Sequence, residues 1–266
     1  GADVLIIDLE DSVVAERRPE ARRMARAFLD QHRGAFAGSI WVRINPLGSG
    51  DAQDDLAAVL PGLPAGVMLP KANGPDDIAT LSAILDSGEA AHGIAPGLTM
   101  ILPVATETAA AALALPRYAE AKLPRLAGLS WGAEDLSADI GASRKRGPDG
   151  QWTFVYQHVR AQTLLAAHAA GVAAIDTLYA DFRDAGGLAE YARAAKADGF
   201  HGMLAIHPGQ VDAINTAFAP GDAEIAHARA VIAAFEAQPG AGAVSLDGQM
   251  LDKPHLKLAQ RILAQI

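Results

Sequence analysis

The stretch LAGLSWGAEDLSADIG, residues 126–141, shows the pattern that decides the fold. A short apolar run ends at Gly132 and is followed by three acids, Glu134, Asp135 and Asp139. An apolar run of this length, without polar alternation, is typical of a strand that is covered on both faces. The polar break after it predicts a turn into a helix.

Six further runs of the same kind occur along the chain. They are VLIIDLE (4–10), SIWVRIN (39–45), GVMLPKA (66–72), LTMILPVAT (98–106), VAAIDTLYA (172–180) and GMLAIH (202–207). Alanine-rich segments with apolar residues at helical spacing separate them. This alternation predicts an α/β fold in which helices cover a parallel sheet, as an open doubly wound sheet or as a closed barrel.

We predict the closed form, a (β/α)8 TIM barrel. No glycine-rich phosphate loop of the GxGxxG or Walker type follows any predicted strand, which disfavours a dinucleotide-binding sheet. Seven strands are visible, and the GAD before the first resembles the end of a helix, so we expect a first strand upstream of Gly1. We assign residues 1–218 to the barrel and 219–266 to a separate C-terminal helical extension.

Composition limits the class of function. The formal net charge of −9 argues against general binding of nucleic acid or of a membrane surface. There is no cysteine, which excludes a disulfide scaffold. No apolar stretch approaches the ~18 residues of a membrane span, and no signal peptide is visible, so we expect a cytoplasmic protein.

The candidate site lies where the strands end, because the functional face of a parallel barrel is at the carboxyl ends of its strands. The polar residues at these positions are Asp8, Glu10, Asp11, Arg43, Asn45, Lys71, Glu107, Glu134, Asp135, Asp176 and His207. Crowded carboxylates repel one another unless a cation compensates. Oxygen ligands favour Mg²⁺, or Mn²⁺, over zinc, and we predict Glu107 and Asp135, which follow neighbouring strands, as the metal ligands.

Some of these residues have plainer interpretations. Acids at the start of a helix cap free N–H groups, and we assign Glu134 and Asp139 to that role. Arg43 lies between apolar residues and could pair with Asp8 or Glu10 as a structural bridge. It could equally offer its guanidinium fork to a substrate carboxylate.

Other cations are weaker signals. Lys71 resembles a surface lysine whose stem covers apolar residues. We interpret His207 as a core histidine tied to the backbone. Arg144, Lys145 and Arg146 are typical of a solvated loop, although they could also meet a phosphate group.

Seven motifs in the same order resemble the citrate lyase β-subunit-like group of the HpcH/HpaI aldolase superfamily, which includes malyl-CoA and citramalyl-CoA lyases. They are GADVLIIDLEDSV, VRIN, LPKAN, ATETA, WGAEDLSADIG, IHPGQV and DGQMLDKPH. The resemblance covers nearly the whole chain and says little about the substrate. It implies a (β/α)8 barrel that binds Mg²⁺ and commonly forms trimers.

The resemblance also implies roles for individual residues. Glu107 and Asp135 would ligate the metal, and Arg43 would hold the carboxylate of a 2-oxo acid. Glu10 and Asp11 would order water at the metal and the Arg43 side chain.

One further position follows from the same resemblance. Asp252 would lie on a C-terminal lid that reaches a neighbouring subunit's site, where it would transfer a proton. We also place Lys71, together with Arg43 and Glu107, among the substrate contacts.

The predicted function is therefore a Mg²⁺-dependent carbon–carbon lyase, or the reverse condensation, acting on a short 2-hydroxyacyl thioester such as malyl-CoA or citramalyl-CoA. Its products would be a 2-oxo acid and an acyl-CoA. One alternative is a citrate lyase β subunit that acts on an acyl-carrier-protein thioester. Another is a CoA-independent, metal-dependent hydroxy-acid aldolase, which the long C-terminal segment disfavours. The third is a binding subunit without catalysis.

Overall fold

The computed structural model describes residues 1–264 and 266, and its first seven strands follow one another in chain order. One parallel sheet contains β1 (Val4–Asp8), β2 (Ser39–Arg43), β3 (Gly66–Leu69) and β4 (Met100–Pro103). A second parallel sheet contains β5 (Gly128–Ser130), β6 (Ala173–Asp176) and β7 (Gly202–Met203). Two parallel bridges, Ile101 to Leu126 and Val104 to Ser130, connect β4 with β5.

Helices occupy the segments between the strands and follow the last one. They are α1 (Arg18–His32), α2 (Asp51–Val59), α3 (Pro75–Ala91), α4 (Ala109–Ala114), α5 (Glu134–Asp139), α6 (Phe154–Ala170), α7 (Ala185–Asp198), α8 (Val211–Phe218), α9 (Asp222–Glu236) and α10 (Lys253–Leu263). Their inward positions are mostly small or aliphatic, such as Leu81 and Leu85 of α3, which are fully buried. Small side chains let the helices lie close to the strands.

The strands are buried in the way that their unbroken apolar runs predict. All four residues of β3 are buried, and so are Ile40 to Val42 of β2. The strands are shorter than the predicted runs, because the polar residues at the end of each run belong to the loops that follow. The α/β fold with parallel strands is confirmed.

The closed barrel is not confirmed. Within the described part of the chain, no strand pairing joins β7 to β1, so the observed arrangement is two parallel sheets connected by the β4–β5 bridges. The sequence pattern carried no information on closure, which depends on strand tilt and register at the two outer strands.

The chain divides into two compact units, Gly1–Ile214 and Asn215–Ile266. The second contains an antiparallel hairpin of β8 (Ala243–Leu246) and β9 (Gln249–Asp252) together with α9 and α10. Its core is formed by Val231, Phe235, Val244 and Leu251. The roles of catalytic domain and lid that the sequence suggests for 1–218 and 219–266 stay predictions. Across residues 1–264 and 266, no helix has the length and apolarity needed to cross a membrane.

Candidate active site

Glu107 and Asp135 lie together, as the adjacency of their strands predicts. Glu107 follows β4 and is 5% exposed, whereas the side chain of Asp135, in the first turn of α5, is 39% exposed. Their carboxyl groups are within hydrogen-bonding reach of each other. Two carboxyl groups this close resist ionising together, and a shared proton or a nearby cation relieves that repulsion.

The loops that carry these two acids are joined by Thr106, which the sequence did not single out. The buried Thr106 hydroxyl donates to the Gly132 carbonyl at 3.2 Å and accepts the Gly132 amide at 3.0 Å. A Cβ on Gly132 would lie 3.4 Å from Cγ of Glu107, so glycine leaves the room that this side chain occupies. The sequence did offer one sign of this role, because Thr106 is a hydroxyl residue directly before Glu107, the acid at the end of its strand.

Burial raises the pKa of Glu107 to about 8, and the hydrogen bond and negative charge of Asp135 add to that effect. The amide of Lys71, which donates to Glu107 Oε2, acts in the opposite direction. A carboxylate that resists ionisation in this way would be returned to its charged form by a divalent cation.

Lys71 connects the acids of the site. Its ammonium ion-pairs with Glu10 and lies 3.6 Å from Asp11 Oδ1 and 3.8 Å from Asp135 Oδ1. Its backbone has a φ of 52°, in the left-handed region that lysine rarely adopts. This geometry lets one residue direct its amide at Glu107 and its side chain at the other acids, which the interpretation as a plain surface lysine did not anticipate.

The Arg43 fork is occupied by Asp8. Nε and Nη2 of Arg43 donate to the two carboxylate oxygens of Asp8 at 2.7 and 2.6 Å. The remaining guanidinium nitrogen, Nη1, lies 3.2 Å from Oε2 of the buried Glu10. Of the two uses that the sequence left open for Arg43, the structural bridge is present.

These contacts alter the acids behind the cleft. Burial would raise the pKa of Asp8, but hydrogen bonds from the Arg43 guanidinium, the Glu10 amide and the Ser12 side chain outweigh it and hold the pKa at about 2. Burial raises the pKa of Glu10, against the opposing charges of Lys71 and Arg43. Asp8 is therefore charged throughout the ordinary pH range. The charged form of Glu10, in contrast, depends on the positive charges of Lys71 and Arg43.

A cleft of about 590 Å³ opens beside the Glu107–Asp135 pair. Its lining consists of Pro46, Leu47, Gly48, Leu69, Pro70, Lys71, Asn73, Asp77, Glu107, Thr108, Asp135 and Asp139. The volume is sufficient for a small acid and part of a larger ligand.

Several other predicted residues have structural roles. Asp139 accepts the amide of Ala109 at 2.7 Å and thus caps the start of α4. Glu134 ion-pairs with Lys145. Asp176 is completely buried and accepts from Trp131 Nε1 at 2.6 Å, so it does not face the cleft as a free acid.

The structure corrects the interpretation of His207. The side chain is tied to the backbone, since Nδ1 accepts the Gly209 amide at 3.0 Å, but the residue is exposed and stacks on Phe182. It caps a turn at the surface, because the polar break that follows β7 carries the chain away from the core. In the basic loop, Arg146 lies over the Trp152 ring at 3.7 Å.

Asp252 belongs to the second unit and is described by itself. It ends β9 directly before α10, and its Oδ1 lies 2.6 Å from His255 Nδ1. The Asp252 side chain is 45% exposed. The sequence did not single out His255.

Comparisons with known proteins agree with these motifs. The HpcH/HpaI aldolase/citrate lyase family model matches residues 1–208. A citrate lyase subunit beta-like protein of Mycobacterium tuberculosis is 38% identical, and the match covers 98% of this chain and 87% of the relative's length. The mitochondrial citramalyl-CoA lyase of Rattus norvegicus is 35% identical, over 98% of this chain and 78% of its own.

A solved structure extends the comparison. The crystal structure of CitE from Mycobacterium tuberculosis in complex with magnesium, acetoacetate and coenzyme A has a TM-score of 0.79 and 38% identity. The match covers 99% of this chain and 90% of that one. The chain belongs to the HpcH/HpaI aldolase/citrate lyase family. The prediction of an enzyme of the lyase class is confirmed.

The donor set fits magnesium. Among residues 1–264 and 266, no group of three or more histidines, cysteines or acids is arranged for a metal, and the close carboxyl groups at the cleft are the two of Glu107 and Asp135. Mg²⁺ characteristically takes only one or two protein carboxylates and fills its other positions with water and substrate oxygens. Two close carboxyl groups at an open cleft meet that requirement.

Proposed function

We propose that this protein is a Mg²⁺-dependent carbon–carbon lyase, or the corresponding condensing enzyme, for a short hydroxyacyl-CoA thioester such as malyl-CoA or citramalyl-CoA. The products of cleavage are a 2-oxo acid and an acyl-CoA. The observation that carries the proposal is the close pair of Glu107 and Asp135 at the cleft. The named ligands of the related CitE structure, magnesium, acetoacetate and coenzyme A, support the same chemistry.

Glu107 and Asp135 would hold the metal. Magnesium would supply Lewis acidity and a template for the substrate's carboxylate and hydroxyl oxygens. The buried Glu107 is oriented by the Lys71 amide, and the Thr106–Gly132 hydrogen bonds hold its loop beside that of Asp135. The protein thus presents both carboxylates in one place before any ligand arrives.

Arg43 balances the negative charge of the 2-oxo acid as the carbon–carbon bond breaks. Its guanidinium is oriented by Asp8, and its third nitrogen remains the group directed at Glu10. Lys71, which lines the cleft, contributes a second positive charge.

Asp252 is the proposed proton carrier. In cleavage the substrate hydroxyl gives up its proton to solvent and becomes the carbonyl of the 2-oxo acid. The electron pair of the broken carbon–carbon bond remains on the thioester's α-carbon as an enolate, and the protonated Asp252 donates its proton to that carbon. In the condensing direction it removes the same proton. An exposed carboxyl is a weak base, so this role requires the second unit to act as a lid that shields Asp252 from water.

We further propose that strands β1–β7 belong to a (β/α)8 barrel and that the enzyme is a homotrimer. The consecutive order and uniformly parallel pairing of β1–β7 support the first proposal. The trimer rests on the family resemblance, in which the lid serves a neighbouring subunit.

A citrate lyase β subunit is the second candidate. The name of the Mycobacterium tuberculosis relative favours it, and its substrate would carry the acyl group on a carrier protein instead of CoA. The Glu107–Asp135 site would serve both substrates, because the two thioesters differ only beyond the reacting atoms.

A mass-spectrometric screen with Mg²⁺ tests the proposal. Malyl-CoA and citramalyl-CoA are incubated with the protein for cleavage, and acetyl-CoA or propionyl-CoA is paired with glyoxylate or pyruvate for condensation. We expect turnover of at least one CoA substrate, abolished by chelation of the metal. Turnover of a citryl thioester on acyl carrier protein, with none of CoA substrates, would establish the second candidate; no turnover of either would refute both.

A further inference from the structure

Lys71 touches every acid that the sequence assigned to the metal site or to its support. Its amide donates to Glu107, and its ammonium contacts Glu10, Asp11 and Asp135. This arrangement requires the left-handed backbone at Lys71, with φ of 52°. A non-glycine residue in that region costs about 1 kcal/mol, and such strain persists where the surroundings impose it.

The acids around this lysine outnumber the two that Mg²⁺ requires. Four carboxylates, those of Glu10, Asp11, Glu107 and Asp135, contact one lysine. A small cation that gathered all of them would have few positions left for water or substrate. Within residues 1–264 and 266, no three of these acids are arranged to share one metal ion, so a contact in the site keeps them apart.

Glu10 is the acid for which this matters most. Its side chain is 4% exposed, and one oxygen pairs with Lys71. Within the described residues the other oxygen, Oε2, accepts no hydrogen bond, and Arg43 Nη1 lies 3.2 Å from it without hydrogen-bonding geometry. A buried carboxylate with one unfilled oxygen will turn towards a new cation if its present partner is removed.

We infer that Lys71 is a positioning residue that keeps Glu10 away from the metal, so that only Glu107 and Asp135 coordinate it and the remaining positions stay open to the substrate. The inference rests on the proposed magnesium site. It gives Lys71 a role different from the direct substrate contact that the sequence suggested. The lysine sets the number of protein ligands, and thereby the capacity of the metal to bind a 2-oxo acid.

The test replaces Lys71 with methionine, which keeps the stem and removes the charge. Mn²⁺ serves as the probe, because water-proton relaxation counts the exchangeable water molecules on the bound ion. We expect Lys71→Met to lose at least one such water and to bind Mn²⁺ about tenfold more tightly, since a nearby positive charge has gone. Pyruvate should bind the loaded variant more weakly than the loaded wild-type protein.

Three further variants make the result specific. Lys71→Gly removes the same charge, retains the amide and relieves the left-handed strain, so it reports if the methionine variant does not fold. The double variant Lys71→Met, Glu10→Gln should regain the lost water. Lys122→Met removes one charge at an exposed position outside the cleft and should match wild type.

An unchanged number of bound waters in Lys71→Met or Lys71→Gly would overturn the inference, whatever the affinity. So would a loss of water that the added Glu10→Gln change does not reverse. If the wild-type protein bound neither Mg²⁺ nor Mn²⁺, the proposed function itself would fail and the inference with it. The wild-type titration therefore separates the two failures.

Discussion

Asp8 holds Arg43 by both of its carboxylate oxygens, at 2.7 Å from Nε and 2.6 Å from Nη2. The two residues end the paired strands β1 and β2 and lie opposite each other in the parallel register. The fork of the arginine is thus committed to the scaffold before a substrate arrives. Such bidentate pairs hold a guanidinium in one orientation and are stronger than single hydrogen bonds.

This pair predicts an acid-dependent contribution to stability. The pKa of Asp8 in the folded protein, about 2, is below the ordinary value of about 3.9, so the stabilisation is present above pH ~4 and is lost as the pH falls towards 2. Asp8→Asn should lower the free energy of unfolding by about 2 kcal/mol at pH 7. The difference from wild type should shrink towards pH 2, as urea unfolding at several pH values would measure.

Asp54→Asn is the control for this experiment, because the Asp54 side chain is 72% exposed and lies 3.4 Å from its arginine partner. It should change stability by less than about 1 kcal/mol. A difference between Asp8→Asn and wild type that stayed constant from pH 7 to pH 2 would show that the carboxylate charge is not what stabilises the fold.

Breaking the buried ion pair between Arg125 and Glu89 should destabilise the fold at a place outside the proposed metal site. Glu89 is completely buried and also accepts the amides of Gly97 and Thr99 at 2.8 Å. Glu89→Gln should cost about 3 kcal/mol in urea unfolding, because it leaves the buried Arg125 partly uncompensated. Asp86, which bonds the same arginine but is 61% exposed, is the matched control, and Asp86→Asn should cost less than about 1 kcal/mol. Equal losses in the two variants would contradict this.

Adding a methyl group at Gly132 should disturb the proposed metal site by crowding it. A Cβ at this position would lie 3.2 Å from Val104 Cγ1, which must give by a few tenths of an ångström, and 3.4 Å from Glu107 Cγ, so Gly132→Ala crowds the wall against which the Glu107 side chain packs. We expect Mg²⁺ to bind about tenfold more weakly by calorimetry, as when a supporting contact of a ligand is lost. Gly221→Ala, where a Cβ meets nothing within 4 Å, should bind like wild type. Tight binding by Gly132→Ala would show that Glu107 is not held as described.

If Asp252 carries the proton, replacing it should reduce turnover without a comparable loss in substrate binding. Asp252→Asn keeps the shape of the side chain and removes the proton carrier, so kcat should fall about 100-fold or more while KM changes little. Asp247→Asn is the control, because Asp247 is an exposed acid between β8 and β9, with a left-handed backbone that asparagine tolerates. An unchanged kcat in Asp252→Asn would remove Asp252 from the mechanism.

The parts of the site that follow from strand order were predictable from sequence. Glu107 and Asp135 end segments that are neighbours in a parallel sheet, and an unbroken apolar run such as that of β3 indicates its own burial. Adjacency along the sheet then places the two acids near each other without any knowledge of the loops.

The parts that depend on loop conformation were not predictable. The contacts of Lys71 require a left-handed backbone in a non-glycine residue, and the Thr106–Gly132 hydrogen bonds depend on the register between two loops. His207 showed the same limit, since a polar residue at the end of a short strand can face the core or solvent. Closure into a barrel depends on strand tilt and stagger, on which the apolar runs carry no information.

Calorimetric titration of Mg²⁺ into the wild-type protein and four acid variants tests the central claim most directly. The account predicts one ion per chain for wild type and a loss of binding by about 100-fold or more in Glu107→Gln and in Asp135→Asn. Two variants serve as controls and should bind like wild type. Glu134→Gln changes the acid directly before Asp135, and Asp139→Asn changes a cleft acid that caps α4. Wild-type affinity in either Glu107→Gln or Asp135→Asn would contradict the claim that these two carboxylates share one metal ion.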